Sequence, residues 1–146
     1  MCFTSFMIFM LLQASSAQKF FQSPYSLDDM RDKQAVVTTD AGTFVIQLLP
    51  EAAPNHVAHF MKLARDGSYN GTIFHRVIRY GIIQGGDPLS VDPSKTALYG
   101  TGGLGELKAE INSEKHTAGA VSAVLAPGVC FSELISAFSS PRPPVP

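Results

Sequence analysis

Charge is sparse in this chain and neither sign dominates: Asp, Glu, Lys and Arg make up 16% of 146 residues, and the formal net charge is −1. That balance leaves no electrostatic footprint for nucleic acid, whose phosphates are gathered by clustered Lys and Arg. Cysteine is scarcer still. Cys2 and Cys130 are too few for a disulfide framework or a thiolate zinc site. No segment repeats. What is plentiful is apolar surface, at 45% of residues. That share excludes disorder as the main state, and the length suits one domain with a buried core.

The apolar run Phe6-Met-Ile-Phe-Met-Leu-Leu12 is too short to span a bilayer. With the small residues Ala14-Ser-Ser-Ala17 behind it, it has the layout of a secretory signal peptide. Ser15 and Ala17 form the small pair before a cut near Gln18, although no Lys or Arg precedes the apolar core. Residues 1–17 are therefore expected to be removed on export to the periplasm or the exterior, with no stable membrane insertion afterwards. Without cleavage the expected location is cytoplasmic. Cleavage takes Cys2 away and leaves Cys130 as a single unpaired thiol.

Residues 18–34 are mixed and aperiodic and read as a linker or an arm lying on the domain. Ala35–Thr39 and Thr43–Leu49 are rich in β-branched and aromatic residues, and Asp40-Ala-Gly42 between them predicts a hairpin. Glu51–Gly67 predicts a helix. Val57, Phe60, Met61 and Ala64 recur at helical spacing, Pro54 suits the first turn, and Gly67 suits the position past the end. After the turn Ser68–Gly71 comes an apolar stretch, Thr72–Pro88, that carries His75, Arg76 and Gln84. Lys108–Asn112 and Gly119–Leu125 read as two further strands. The implied order is hairpin, helix, strand, strand: an antiparallel sheet with a helix packed on it.

Several patterns carry less than their letters suggest. Gly100, Gly102 and Gly105 match the dinucleotide fingerprint, but no apolar strand leads into them and no amphipathic helix follows. Their simpler role is to let the backbone turn sharply with positive φ. His56 and His59 lie three apart on the predicted helix, as two metal ligands would, with no acidic or cysteine partner in sequence reach. Asn70-Gly-Thr72 fits a glycosylation acceptor, but its simpler role is the geometry of a tight turn. Ser122 lacks a histidine and an acid that would make it a nucleophile.

The series Phe74-His-Arg-Val-Ile78, Ile83-Gln-Gly-Gly-Asp87, Gly100-Thr-Gly-Gly103 and His116-Thr-x-Gly-x-x-Ser122 resembles the cyclophilins, a family of peptidyl-prolyl isomerases. The likeness runs from Ala35 to about Pro127. It implies a mostly β fold with α: a closed, eight-stranded antiparallel β-barrel capped by helices, with its active groove on the outer wall. It also implies proline-containing peptides and unfolded proteins as partners, and needs neither cofactor nor metal.

By that resemblance Arg76 is the catalytic residue. Gln84 holds its guanidinium and meets the substrate backbone, Ile82 lines the proline slot, and His75 supports the arginine. Arginine suits the task because it stays charged and presents a rigid fork of donors. Two departures stand out. Gly81 occupies a place where many relatives have a phenylalanine flooring the proline pocket, so aromatic surface is lost unless Tyr80 replaces it. Beyond Pro127 the family pattern stops, and residues 128–146 read as an atypical, proline-rich tail, a truncated or frame-shifted end. A short amphipathic helix over Phe131–Phe138 is the other reading of that tail. The expected barrel is accordingly incomplete, missing its C-terminal strands and exposing unpaired edges. A catalytically weak or inactive proline-peptide binding module, or a fragment, remains the alternative to an active isomerase.

Overall fold

The computed structural model describes residues 20–103 and 105–123, together with the backbone of 133–135. The expected export signal and most of the tail lie outside these residues.

Strands β1 (Gln34–Thr39) and β2 (Gly42–Gln47) form the predicted hairpin, with Val36 opposite Val45 and Thr39 opposite Gly42. Gly42 takes φ of +134°, a conformation open to glycine, and so turns the chain. Side chains alternate along both strands. Ala35, Val37, Phe44 and Ile46 are half-buried, whereas Val36 and Val45 face solvent.

The inner face receives helix α2 (Pro54–Arg65) through Val57, Ala58 and Met61. Leu48 and Met30 complete this core, with Phe21, Tyr25, Ile46 and Phe60 packed around it. Each fully buried side chain of this size contributes about 1.5–3 kcal/mol. Met30 belongs to a short helix, α1 (Leu27–Met30), inside the segment expected to be an aperiodic linker. Its cause was local: Ser26 accepts from the Asp29 N–H, and the Asp29 carboxylate accepts from the Ser26 N–H, a reciprocal capping box. The remainder of that segment does lie on the domain. The Phe21 N–H donates to the Glu106 carbonyl at 2.6 Å, and the Ser23 N–H to Asn55 Oδ1 at 2.8 Å.

Helix α2 begins at Ala53, which has no side chain to cap the first turn. Glu110 supplies what Ala53 lacks. Its carboxylate accepts from the backbone N–H of Asn55 and of His56, each at 3.0 Å, and from the Asn55 side chain at 2.8 Å. Helix N-terminal amides have no partner within the helix and favour negative charge, so a carboxylate from a distant segment serves as the cap. This explains a difference from expectation. Lys108–Asn112 is not a strand among the described residues; side-chain bonds to α2 and burial of Leu107 hold the segment, not a ladder.

A second sheet is built in the order β3 (Arg76–Val77), β4 (Ile83–Gly85), β6 (Glu133–Ile135), β5 (Val121–Ala123), all antiparallel. The β6 residues fall within the stretch 128–146 expected to be an atypical tail. They form a strand pairing with both β4 and β5, not part of a helix over Phe131–Phe138. The described residues do not close into a barrel. The inner faces of the two sheets and α2 instead border an open hollow of about 1190 Å³, lined by Phe44, Ile46, Leu48, Val57, Phe60 and Ile83 among others.

Candidate active site

The β3–β4 hairpin brings the sequence candidates together. Arg76 stands directly opposite Gln84, and Val77 opposite Ile83. The Ile78 N–H donates to the Ile82 carbonyl at 2.7 Å and carries the pairing one step further. Strand side chains share a face every second residue, so Arg76, Gln84, Ile78 and Ile82 belong to one face of the hairpin. Ile82 is half-buried and Ile78 is exposed. One cation, one amide and two branched apolar side chains therefore share a small surface.

Gln84 is the fixed member. It is 7% exposed and lies on a strand paired on both sides, with Arg76 on β3 and Leu134 on β6. Arg76 Nη1 donates to Gln84 Oε1 at 3.4 Å, a long bond that steers the guanidinium without immobilising it. Arg76 itself is exposed and, among the described residues, has no ion-pair partner. The strand that carries it, β3, is thus a surface edge strand, whereas β4 beside it is an inner strand with Gln84 and Gly85 buried.

His75 is half-buried. Both its ring nitrogens are inaccessible and neither has a hydrogen-bond partner among the described residues. Its Nε2 would lie 3.5 Å from a Cβ placed on Gly100. The ring therefore adjoins the glycine loop and fills space there, while Arg76 points to the other face.

Asp87 organises that loop, a role the sequence reading did not give it. It is 1% exposed. Its carboxylate accepts from the Leu89 N–H at 2.7 Å and from the Gly100 N–H, and so ties residues 99–103 to the end of β4. Gly100 turns with φ of +89°. A Cβ on Gly102 would overlap Asp87 Oδ1 and sit 2.6 Å from Leu89 Cγ. The glycines are there because the backbone wraps a buried carboxylate. The segment before them consists of two 3-10 turns, Pro88–Val91 and Pro93–Leu98, where a dinucleotide fold would have a strand.

Tyr80 does not supply the aromatic surface that Gly81 lacks. It is 69% exposed at a positive φ of 57°, third in a turn closed by the Gly81 N–H to the Ile78 carbonyl at 3.0 Å. Glycine is the residue usually found at such a position, and an L side chain there costs about 1–2 kcal/mol. The Tyr80 ring is engaged by Arg79, whose guanidinium carbon lies 4.6 Å from its centroid and whose Nη2 donates to the Tyr80 hydroxyl at 2.7 Å.

His56 and His59 do have acidic partners, brought from a distance. His56 Nδ1 lies 2.7 Å from Glu110 Oε2, and His59 Nε2 lies 3.3 Å from Glu106 Oε2. Some 54 and 47 positions of chain separate these pairs, so local spacing carried no sign of them. Burial pushes the Glu110 carboxyl up, but hydrogen bonds from His56 and Asn55 outweigh it and hold the group below its usual range. Among the described residues no group of three or more His, Cys, Asp or Glu is arranged to hold a metal ion.

The sequence pattern of the cyclophilin type peptidyl-prolyl cis-trans isomerase/CLD family matches residues 34–127. The chain belongs to the cyclophilin-type peptidyl-prolyl isomerase family. Its cyclophilin domain includes both hairpins, α2 and the glycine loop. A peptidyl-prolyl cis-trans isomerase of Synechococcus elongatus is 43% identical over 90 residues, covering 61% of this chain and 57% of the relative. One from Schizosaccharomyces pombe is 42% identical over 82 residues, covering 56% of this chain and 50% of the relative. A peptidyl-prolyl cis-trans isomerase-like 1 of Bos taurus is 38% identical over 73 residues, covering 50% and 44%. This cyclophilin chain therefore aligns with 44–57% of the length of these curated relatives.

Proposed function

We propose that this chain is a peptidyl-prolyl cis-trans isomerase that accelerates rotation about Xaa-Pro bonds of proline-containing peptides and unfolded proteins. Membership of the cyclophilin family supports the reaction. The observation that carries it is the cross-strand pair: Arg76 opposite Gln84, with the guanidinium held 3.4 Å from the amide oxygen beside Ile78 and Ile82.

Rotation about the tertiary amide sacrifices its partial double bond, against a barrier of about 18–20 kcal/mol, and takes on the order of 10–100 s unaided. A 10⁵-fold acceleration lowers that barrier by about 7 kcal/mol. No covalent bond forms or breaks, so the site needs no nucleophile. Ile78 and Ile82 offer the proline ring an apolar surface and displace water from the amide. Arg76 donates to the amide nitrogen as it turns pyramidal, an interaction that exists only near the twisted state and so favours that state over either planar isomer. Gln84, on a strand paired on both sides, keeps the guanidinium at the right place, and its amide meets the peptide backbone. His75 supports this constellation from the opposite face.

In this reading the two antiparallel sheets, facing a common hollow with α2, are walls of the barrel typical of the family. The run Phe6–Leu12 supports an exported protein. The exposed Tyr80, beside Gly81, favours one second reading, a module that grips proline peptides but turns them over slowly. A proline-peptide isomerisation assay separates the two. The full chain is expected to accelerate exchange and Arg76→Ala to lose about 10²–10³-fold, the usual loss for one transition-state donor. Peptide binding without acceleration, or unchanged rates in Arg76→Ala, would refute the catalytic reading.

A further inference from the structure

The hairpin tip carries a second cation for which the reaction has no use. From Gly67 to Gly86 the sequence contains Arg76, Arg79 and His75 but no Asp or Glu. The carboxylates flanking that stretch are already engaged: Asp66 pairs with Lys62 at 2.7 Å, and Asp87 is buried against the Leu89 and Gly100 amides. Among the described residues Arg79 has no ion-pair partner. It is nevertheless engaged within the turn. The Tyr80 ring supports it at 4.6 Å and the Tyr80 hydroxyl accepts one of its N–H groups at 2.7 Å, with the remaining donors of the fork left over. A stacked guanidinium has lost part of its freedom before any ligand arrives, so an anion that meets it gives up less entropy.

We propose that Arg79, seated on Tyr80, is a specificity subsite that selects peptides bearing an anionic side chain close to the proline. This rests on the reading of Arg76 as the residue that meets the proline amide. Arg79 follows three positions later, so its Cα lies no more than about 10 Å away, and an extended peptide covers that span in about three residues. The favoured ligand is then a proline peptide with a carboxylate or phosphate within about three residues of the ring. The exposed tip, with Val77 and Tyr80 at 67% and 69%, leaves such a peptide unobstructed.

The test compares fluorescence anisotropy of labelled proline peptides on the full chain. One peptide is uncharged, a set carries Glu at successive positions around the proline, and a third kind carries phosphoserine at the best of these. For the best position the Glu peptide should bind about three- to fivefold more tightly than the uncharged one, the scale of a solvent-exposed ion pair. The preference should shrink towards unity near 1 M salt, where the Debye length is about 3 Å. Arg79→Gln should bring the ratio to about one, and Arg79→Lys should keep part of it. A larger gain for phosphoserine than for Glu assigns the subsite to phosphate, and equal gains assign it to carboxylates. No preference in the natural chain, or one that survives in Arg79→Gln, overturns the inference. Because the readout is binding, an absence of turnover sinks the isomerase reading alone.

Discussion

Removing the charge of Glu110 is the perturbation that most directly tests how the domain is held. Its carboxylate accepts four hydrogen bonds: two from the backbone of the first turn of α2, one from the Asn55 amide and one from His56. Its side chain is only 15% exposed, so water replaces few of them. In Glu110→Gln the shape remains, but one carboxylate oxygen becomes an NH₂ group facing donors. Loss of a helix cap costs about 1 kcal/mol, and hydrogen bonds to a charged group are worth about 1.5–3 kcal/mol. A net destabilisation of about 2 kcal/mol is expected, or roughly 8 °C in Tm for a domain of this size.

The pH dependence has a definite sign. The folded-state value of Glu110 lies below its usual one, because the bonds from His56 and Asn55 outweigh the effect of burial. Its contribution is therefore fully present above the unfolded value of about 4.3 and is lost as pH falls through the folded value. Thermal melts followed by circular dichroism at pH 7 and near pH 3 should show a gap between natural chain and variant that narrows in acid. Equal melting at pH 7, or a gap that widens in acid, would refute long-range capping of α2 by this carboxylate.

Two further outcomes follow from the site. Gly102→Ala should destabilise the chain by about 1–3 kcal/mol in urea unfolding, because the new methyl overlaps Asp87 and Leu89. A neutral effect would mean that the glycine loop does not wrap Asp87. His75→Phe should be neutral to slightly stabilising, since both imidazole nitrogens are buried without partners and an apolar ring removes that cost. A loss above about 2 kcal/mol in the same measurement would point to a hydrogen bond that supports the fold.

Much of this protein was legible in the order of its residues. The hairpin over β1 and β2, the helix bounded by Pro54 and Gly67, and the family membership carried by Phe74–Ile78 and Ile83–Asp87 all rest on local pattern. Local pattern suffices there because strand alternation, helical spacing and turn chemistry act over a few residues. The α1 capping box of Ser26 and Asp29 was equally local and was passed over within an aperiodic stretch. Tertiary structure alone decided what crosses the chain. It brought Glu110 to the bare start of α2, gave His56 and His59 acidic partners, and paired residues 133–135 with β4 and β5. It also turned Tyr80 outward onto Arg79 and made Arg76 a surface cation steered by a buried glutamine. Hydrogen bonds and ion pairs between residues 47 to 55 positions apart leave no periodicity in the sequence. They arise only once burial of the core has brought distant segments into contact.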